Sequence, residues 1–157
     1  FHSDTSSYEA VRLRGGGSSF PFVDRNFIPD VDYMEMNGLA TWKQAITNLP
    51  YSIHQVCEKA KIDISQIDLI LFHQANLNLI QYIMKKIKID LNKTYTNVER
   101  IGNTASASLA IVLNEAIDNR KIKENDIVLM AAVGAGYIYG SSLWTWGDSN
   151  SNSHNKL

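Results

Sequence analysis

Ile70-Leu71-Phe72-His73-Gln74-Ala75-Asn76 decides how the rest of the chain is read. An apolar run over 67–72 ends abruptly in a histidine and amides. The run is rich in Ile and Leu and too short for a helix, so it reads as a buried strand. Over 77–84 the pattern changes. Ile80, Ile83, Met84 and Ile87 fall on one side of a helix. His73 therefore sits where a buried strand gives way to a helix. Open α/β sheets hold their ligands there, outside the carboxyl ends of the strands.

Upstream, a helical phase holds over 37–60, with Trp42, Ala45, Ile46, Leu49, Ile53, Val56, Cys57 and Ala60 at spacings of three and four. Pro50 interrupts it, at about 3 kcal/mol for an interior proline. The phase survives across it, which predicts one kinked helix rather than two. Cys57 lies on the apolar stripe and His54 off it, so Cys57 reads as core and His54 as surface. Further back, Tyr8 to Leu13 alternates, and Gly15-Gly16-Gly17-Ser18-Ser19 reads as a loop, without the lysine and helix of a P-loop. Residues 20–36 predict an irregular excursion. Its Phe20, Phe22, Phe27, Tyr33 and Met34 either line an apolar wall or pin the loop to the core.

Downstream, 85–93 is locally basic: a solvated face, or a docking site for an anionic partner. Residues 94–99 alternate enough for a strand. Thr104 is placed to cap a helix running to about Asp118, with Leu109, Val112, Leu113, Ala116 and Ile117 inward. A buried strand is expected over 126–133, a tight turn at Gly134-Ala135-Gly136, and a return strand over 137–146. The order helix, strand, helix, strand, helix, strand, strand predicts an α/β layer with a mixed sheet.

The 157 residues suffice for one domain, with 45% hydrophobic and 20% charged residues. A formal net charge of -1 argues against a nucleic-acid-binding surface, and no apolar run reaches the roughly 20 residues of a membrane helix. The single cysteine excludes an internal disulfide and fits a cytoplasmic location. The four histidines, at 2, 54, 73 and 154, show no metal-ligand spacing. The start at Phe1 is expected to lie inside a longer protein.

His73 and Asn103 stand out, each at a strand exit before a helix, among apolar or small neighbours. Two donors converging on one oxygen stabilise charge developing on a carbonyl or enolate. A neutral imidazole suits that role. A backbone N–H of the Gly134-Ala135-Gly136 turn is placed to join them. The alternative is a pair of satisfied core polar groups. No nucleophile accompanies them, because Ser106 and Ser108 lack a Gly-x-Ser-x-Gly setting.

His73-Gln74-Ala75-Asn76, Gly102-Asn103-Thr104 with its small-residue helix, and the glycine turn before Tyr137-Ile138-Tyr139-Gly140-Ser141 resemble the C-terminal half of 3-oxoacyl-[acyl-carrier-protein] synthase III. That family is a condensing branch of the thiolase superfamily. Met34-Glu35-Met36-Asn37-Gly38 fits it as well. The resemblance implies an α/β thiolase-like half, with a mixed five-stranded-type sheet covered by helices on both faces. It divides the chain into 1–36, the end of the other half plus a loop excursion, then the half-domain 37–147, then a polar tail over 148–157.

It further implies decarboxylative Claisen condensation of an acyl thioester with a malonyl thioester, in fatty-acid or polyketide-type biosynthesis. His73 and Asn103 take the catalytic roles, Gly134, Ala135 and Gly136 the oxyanion turn, and Gln74 and Asn76 shape the site. Lys85, Lys86 and Asn78 match carrier-docking positions. No cofactor is held permanently, since substrates ride on the phosphopantetheine of acyl carrier protein or on coenzyme A. The nucleophilic cysteine belongs to the family's N-terminal half, the expected partner in the same or another chain, and a homodimer or heterodimer is expected. Three features depart from the family: Ala135 replaces a glycine, Asn78 replaces an arginine, and Trp144 and Trp146 are additional. Ala135 and Asn78 keep open acyl transfer to an oxygen or nitrogen acceptor, and the absence of the nucleophilic cysteine keeps open a non-catalytic partner subunit.

Overall fold

A computed structural model of the protein describes residues 1–147. Its elements are β1 (His2–Ser3), β2 (Val11–Leu13), α1 (Pro29–Asp32), β3 (Met34–Met36), α2 (Gly38–Ala60) and β4 (Leu69–Phe72). Then follow α3 (Leu77–Lys86), α4 (Val98–Ile101), α5 (Ser108–Asp118), β5 (Ile127–Gly134) and β6 (Ile138–Thr145). The expected tail over 148–157 lies outside the described residues.

All four residues of β4 are buried, as its unbroken apolar run requires of a strand covered on both faces. Ile70 and Phe72 pack with Leu49, Ile53 and Cys57 of α2 and Ile80, Ile83 and Met84 of α3. Leu69 and Leu71 point the other way, onto Val112 and Ala116 of α5. One strand thus joins two cores. The main sheet runs β1-β6-β5-β4, with β4 parallel to β5 and the other pairs antiparallel.

The expected strand over 94–99 is not formed. Thr94 makes only a lone parallel bridge to Ile70, so the five-stranded-type sheet is realised as four strands and that bridge. The reason is local. The backbone N–H groups of Asn97 and Val98, which a ladder would use, donate instead to Oε1 of the buried Gln74, at 3.0 and 3.3 Å. The chain then turns into α4.

α2 runs unbroken through Pro50. Asn37 caps it by accepting the Ala40 N–H at 3.0 Å. Proline leaves the carbonyl four residues back without its helical donor. That carbonyl, Ile46 O, accepts Nζ of Lys86 from α3 at 2.7 Å. Cys57 is buried and His54 exposed, while Ala60, on the same stripe, is exposed in the last turn.

Tyr8–Ala10 is a 3-10 turn leading into β2, which pairs with β3. The loop between them contradicts the expectation that its aromatics pin it to the core: Phe20, Phe22, Phe27, Tyr33 and Met34 are exposed. Phe27 and Tyr33 pack edge to face with ring centres 5.2 Å apart, and Phe20 and Phe22 lie against a cation. The Arg25 guanidinium lies 4.5 Å from the Phe20 ring centre and 4.7 Å from that of Phe22, and pairs with both oxygens of Asp32 at 2.6 Å. A Cβ at Gly15 would meet Asp32 Oδ1 at 2.0 Å, so glycine is required there.

Candidate active site

His73 follows β4 directly and extends its ladder, its N–H donating to Ala131 O at 2.9 Å. Its Nδ1 lies 2.5 Å from Ser108 Oγ, at the start of α5. The ring is half-buried, and burial holds its pKa below the ordinary 6.5. The neutral imidazole is therefore the form present near neutrality.

Gln74 is fully buried. Its Nε2 donates to Phe72 O at 2.8 Å while Oε1 accepts the two amides before α4. Rather than facing a ligand, this side chain ties the strand exit to the 97–101 segment. Asn76 caps α3, with Oδ1 accepting the Leu79 N–H at 3.2 Å. Both residues shape the site by holding its backbone.

Asn103 is exposed in a turn that begins at Gly102, with φ +78°. Its Oδ1 accepts the Ala105 N–H at 2.9 Å, an Asx turn that leaves Nδ2 without a partner among the described residues. Thr104 does not cap the helix, contrary to expectation. Ala105 takes a positive φ of 51°, the chain runs through a 3-10 turn at Ala105–Ala107, and α5 begins only at Ser108. Thr104 Oγ1 is left buried and unpartnered.

Because β4 and β5 are parallel, His73 and the Gly134-Ala135-Gly136 turn leave the sheet at the same end. Gly134 and Ala135 are exposed there, and Gly136 takes a φ of +136°. The Ser108 contact brings the segment carrying Asn103 to that end too. His73 and Asn103 share no hydrogen bond, and each keeps one nitrogen, Nε2 and Nδ2, uncommitted among the described residues.

The three basic or amide positions on α3 separate. Asn78 and Lys85 line a shallow groove of about 590 Å³ with Gln81, Tyr82, Ile89, Asp90 and Leu91. Lys86 does not line it and is engaged by Ile46 O. Cys57 lies in the core, where burial raises its thiol pKa, so it is not an available nucleophile. Among the described residues no group of three or more His, Cys, Asp or Glu is placed to hold a metal. No helix among them is long and apolar enough to cross a membrane. Sequence reasoning missed Ser108 as the partner of His73, since nothing in spacing links residues 35 positions apart.

Residues 57–146 match the family described as 3-oxoacyl-[acyl-carrier-protein (ACP)] synthase III C terminal. The chain is 34% identical over 136 residues to the beta-ketoacyl-[acyl-carrier-protein] synthase III of Fusobacterium nucleatum, covering 87% of this chain and 42% of that protein. It is 36% identical over 141 residues to that of Clostridium perfringens, covering 90% of this chain and 43% of that protein. The crystal structure of 3-oxoacyl-[acyl-carrier-protein] synthase III from Aquifex aeolicus superposes with a TM-score of 0.79 at 28% identity, over 92% of this chain and 42% of that one. The chain thus spans less than half the length of the relatives it matches. With its parallel β4–β5 pair, its two helical faces and residues 57–146 matched, the chain belongs to the 3-oxoacyl-[acyl-carrier-protein] synthase III C-terminal family and has a thiolase-like fold.

Proposed function

We propose that this chain supplies the enolate-stabilising half of a cytoplasmic condensing enzyme that joins an acyl thioester to a malonyl thioester with loss of carbon dioxide. The observation that carries the reading is the pair of uncommitted donors, His73 Nε2 and Asn103 Nδ2, on two segments tied together at one sheet end. Both are uncharged at neutral pH, so each donates to a thioester oxygen without an ion pair forming in the ground state. As negative charge grows on that oxygen during decarboxylation, both bonds strengthen, which is the differential binding that lowers a barrier. An N–H of the Gly134-Ala135-Gly136 turn serves a second oxygen, that of the acyl-enzyme.

The acyl-bearing nucleophile comes from other polypeptide, because the one cysteine here is in the core. That polypeptide is the N-terminal half of the same enzyme, and the pair is expected to assemble as a dimer. The substrates arrive on phosphopantetheine, from acyl carrier protein or coenzyme A. An acidic carrier would dock at the Lys85 and Lys86 end of α3, with Asn78, where the family often has arginine, weakening that contact.

The test is Asn103→Ala in the assembled enzyme, with carbon dioxide release from a malonyl thioester followed directly. Loss of one preorganised donor is expected to lower the rate about a hundredfold. Undiminished release removes the assigned role. An ester or amide product formed without carbon dioxide points instead to acyl transfer with His73 as base.

A further inference from the structure

We propose that Ser108 is a positioning residue that sets the tautomer of His73, keeping Nδ1 bare and Nε2 protonated. A serine hydroxyl offers one hydrogen and two lone pairs. Ser108 is 2% exposed, so each of these has to be settled inside the protein. The backbone N–H of Gln74 donates to Oγ at 3.1 Å and takes one lone pair. His73 Nδ1, at 2.5 Å, is the other partner of Oγ among the described residues.

Two assignments are open to that second contact. If Nδ1 carried hydrogen, both neighbours would donate to Oγ, and the serine hydrogen would be buried with no acceptor. Native interiors avoid this. If Ser108 donates to a bare Nδ1, all three groups are satisfied at once, and the ring's hydrogen sits on Nε2. The arrangement is held firmly, because the Gln74 backbone is itself anchored by its side-chain bonds to Phe72, Asn97 and Val98.

Nε2 is not among the buried atoms without a partner. The only buried side-chain nitrogen and oxygen atoms left without partners among the described residues are Asn97 Nδ2 and Thr104 Oγ1. Ser108 thus makes His73 an outward donor rather than an outward acceptor. For a group that stabilises a developing oxyanion, that choice decides whether it helps or repels. The catalytic consequence rests on the condensing role proposed for His73. The tautomer does not.

The test is nitrogen-15 NMR of the assembled enzyme labelled in histidine, with the His73 signals assigned by their loss in His73→Gln. The wild type is expected to show a protonated Nε2 and a bare Nδ1. A protonated Nδ1 overturns the proposal. Ser108→Ala is expected to lose that single-tautomer pattern and to lower kcat for carbon dioxide release about tenfold to a hundredfold, with KM little changed. Ser108→Thr, which keeps the hydroxyl, is expected to restore both. A Ser108→Ala enzyme that keeps the Nε2–H pattern also overturns the proposal. Should that variant not fold, the wild-type spectrum decides alone. Undiminished release in His73→Gln removes the condensing role while leaving the tautomer assignment in place, so the two failures are distinguishable.

Discussion

His73 gains its chemistry from where the chain puts it: half-buried, one residue past a strand and against a hydroxyl. Burial lowers its pKa from 6.5, so the folded protein resists protonation more than the unfolded chain does. Between the two values the unfolded state binds more protons, and stability falls as pH drops through that window. The stabilisation is fully present above 6.5. Carbon dioxide release is expected to stay level down to about that pH and to decline only below it, since protonation puts hydrogen on Nδ1. A pH profile whose acid limb begins above 6.5 contradicts this. Gln74 makes a separate prediction. Replacing it with Ala strands the Asn97 and Val98 amides in a buried site. The expected loss is about 3 kcal/mol, read from the urea midpoint at constant m-value. A loss under about 1 kcal/mol, the size of one exchanged hydrogen bond, contradicts the anchoring role. His73 and Asn103 were legible in the sequence because they interrupt apolar and small residues. The work of Gln74 was not, because its partners are 23 and 24 positions away.

At the scale of elements, the long helix was readable through its proline because the apolar phase continues past Pro50. What the phase does not disclose is how the chain tolerates it. Lys86 reaches across from α3 to the carbonyl that Pro50 cannot serve. Lys86→Met is therefore expected to cost about 1 kcal/mol in the native background. The cost should shrink when Pro50→Ala returns a backbone donor to Ile46 O. A double-mutant cycle in urea checks this, and additive effects contradict it. The two local misreadings each have a local cause. Over 94–99 and at Thr104, alternation and a capping residue were present. Gln74 took the amides over 97–98, and at 104 an Asx turn from Asn103 puts Ala105 at a positive φ, so the chain passes through a 3-10 turn before α5 begins.

The whole molecule follows from one strand that is apolar on both faces and so demands helices on both sides. That much was plain from 67–72, and α2, α3 and α5 meet the demand. The apolar surface left outside was not legible, because periodicity ranks residues within an element and not between chains. Val23, Met34, Met36 and Leu39 are all exposed, Leu39 at 80%. If the chain is half of a two-part fold, as proposed, these side chains belong to the surface that the other half covers. The chain by itself is expected to sediment as more than one copy and to form a defined complex when the proposed N-terminal half is added. A stable, monodisperse monomer contradicts that.

The central claim is that His73 and Asn103 act on the same oxygen. Carbon dioxide release by His73→Ala, Asn103→Ala and the double variant of the assembled enzyme tests it most directly. Each single change is expected to cost about a hundredfold, and the double change clearly less than the product of the two, as donors acting as a unit require. Undiminished release in either single variant would contradict the claim.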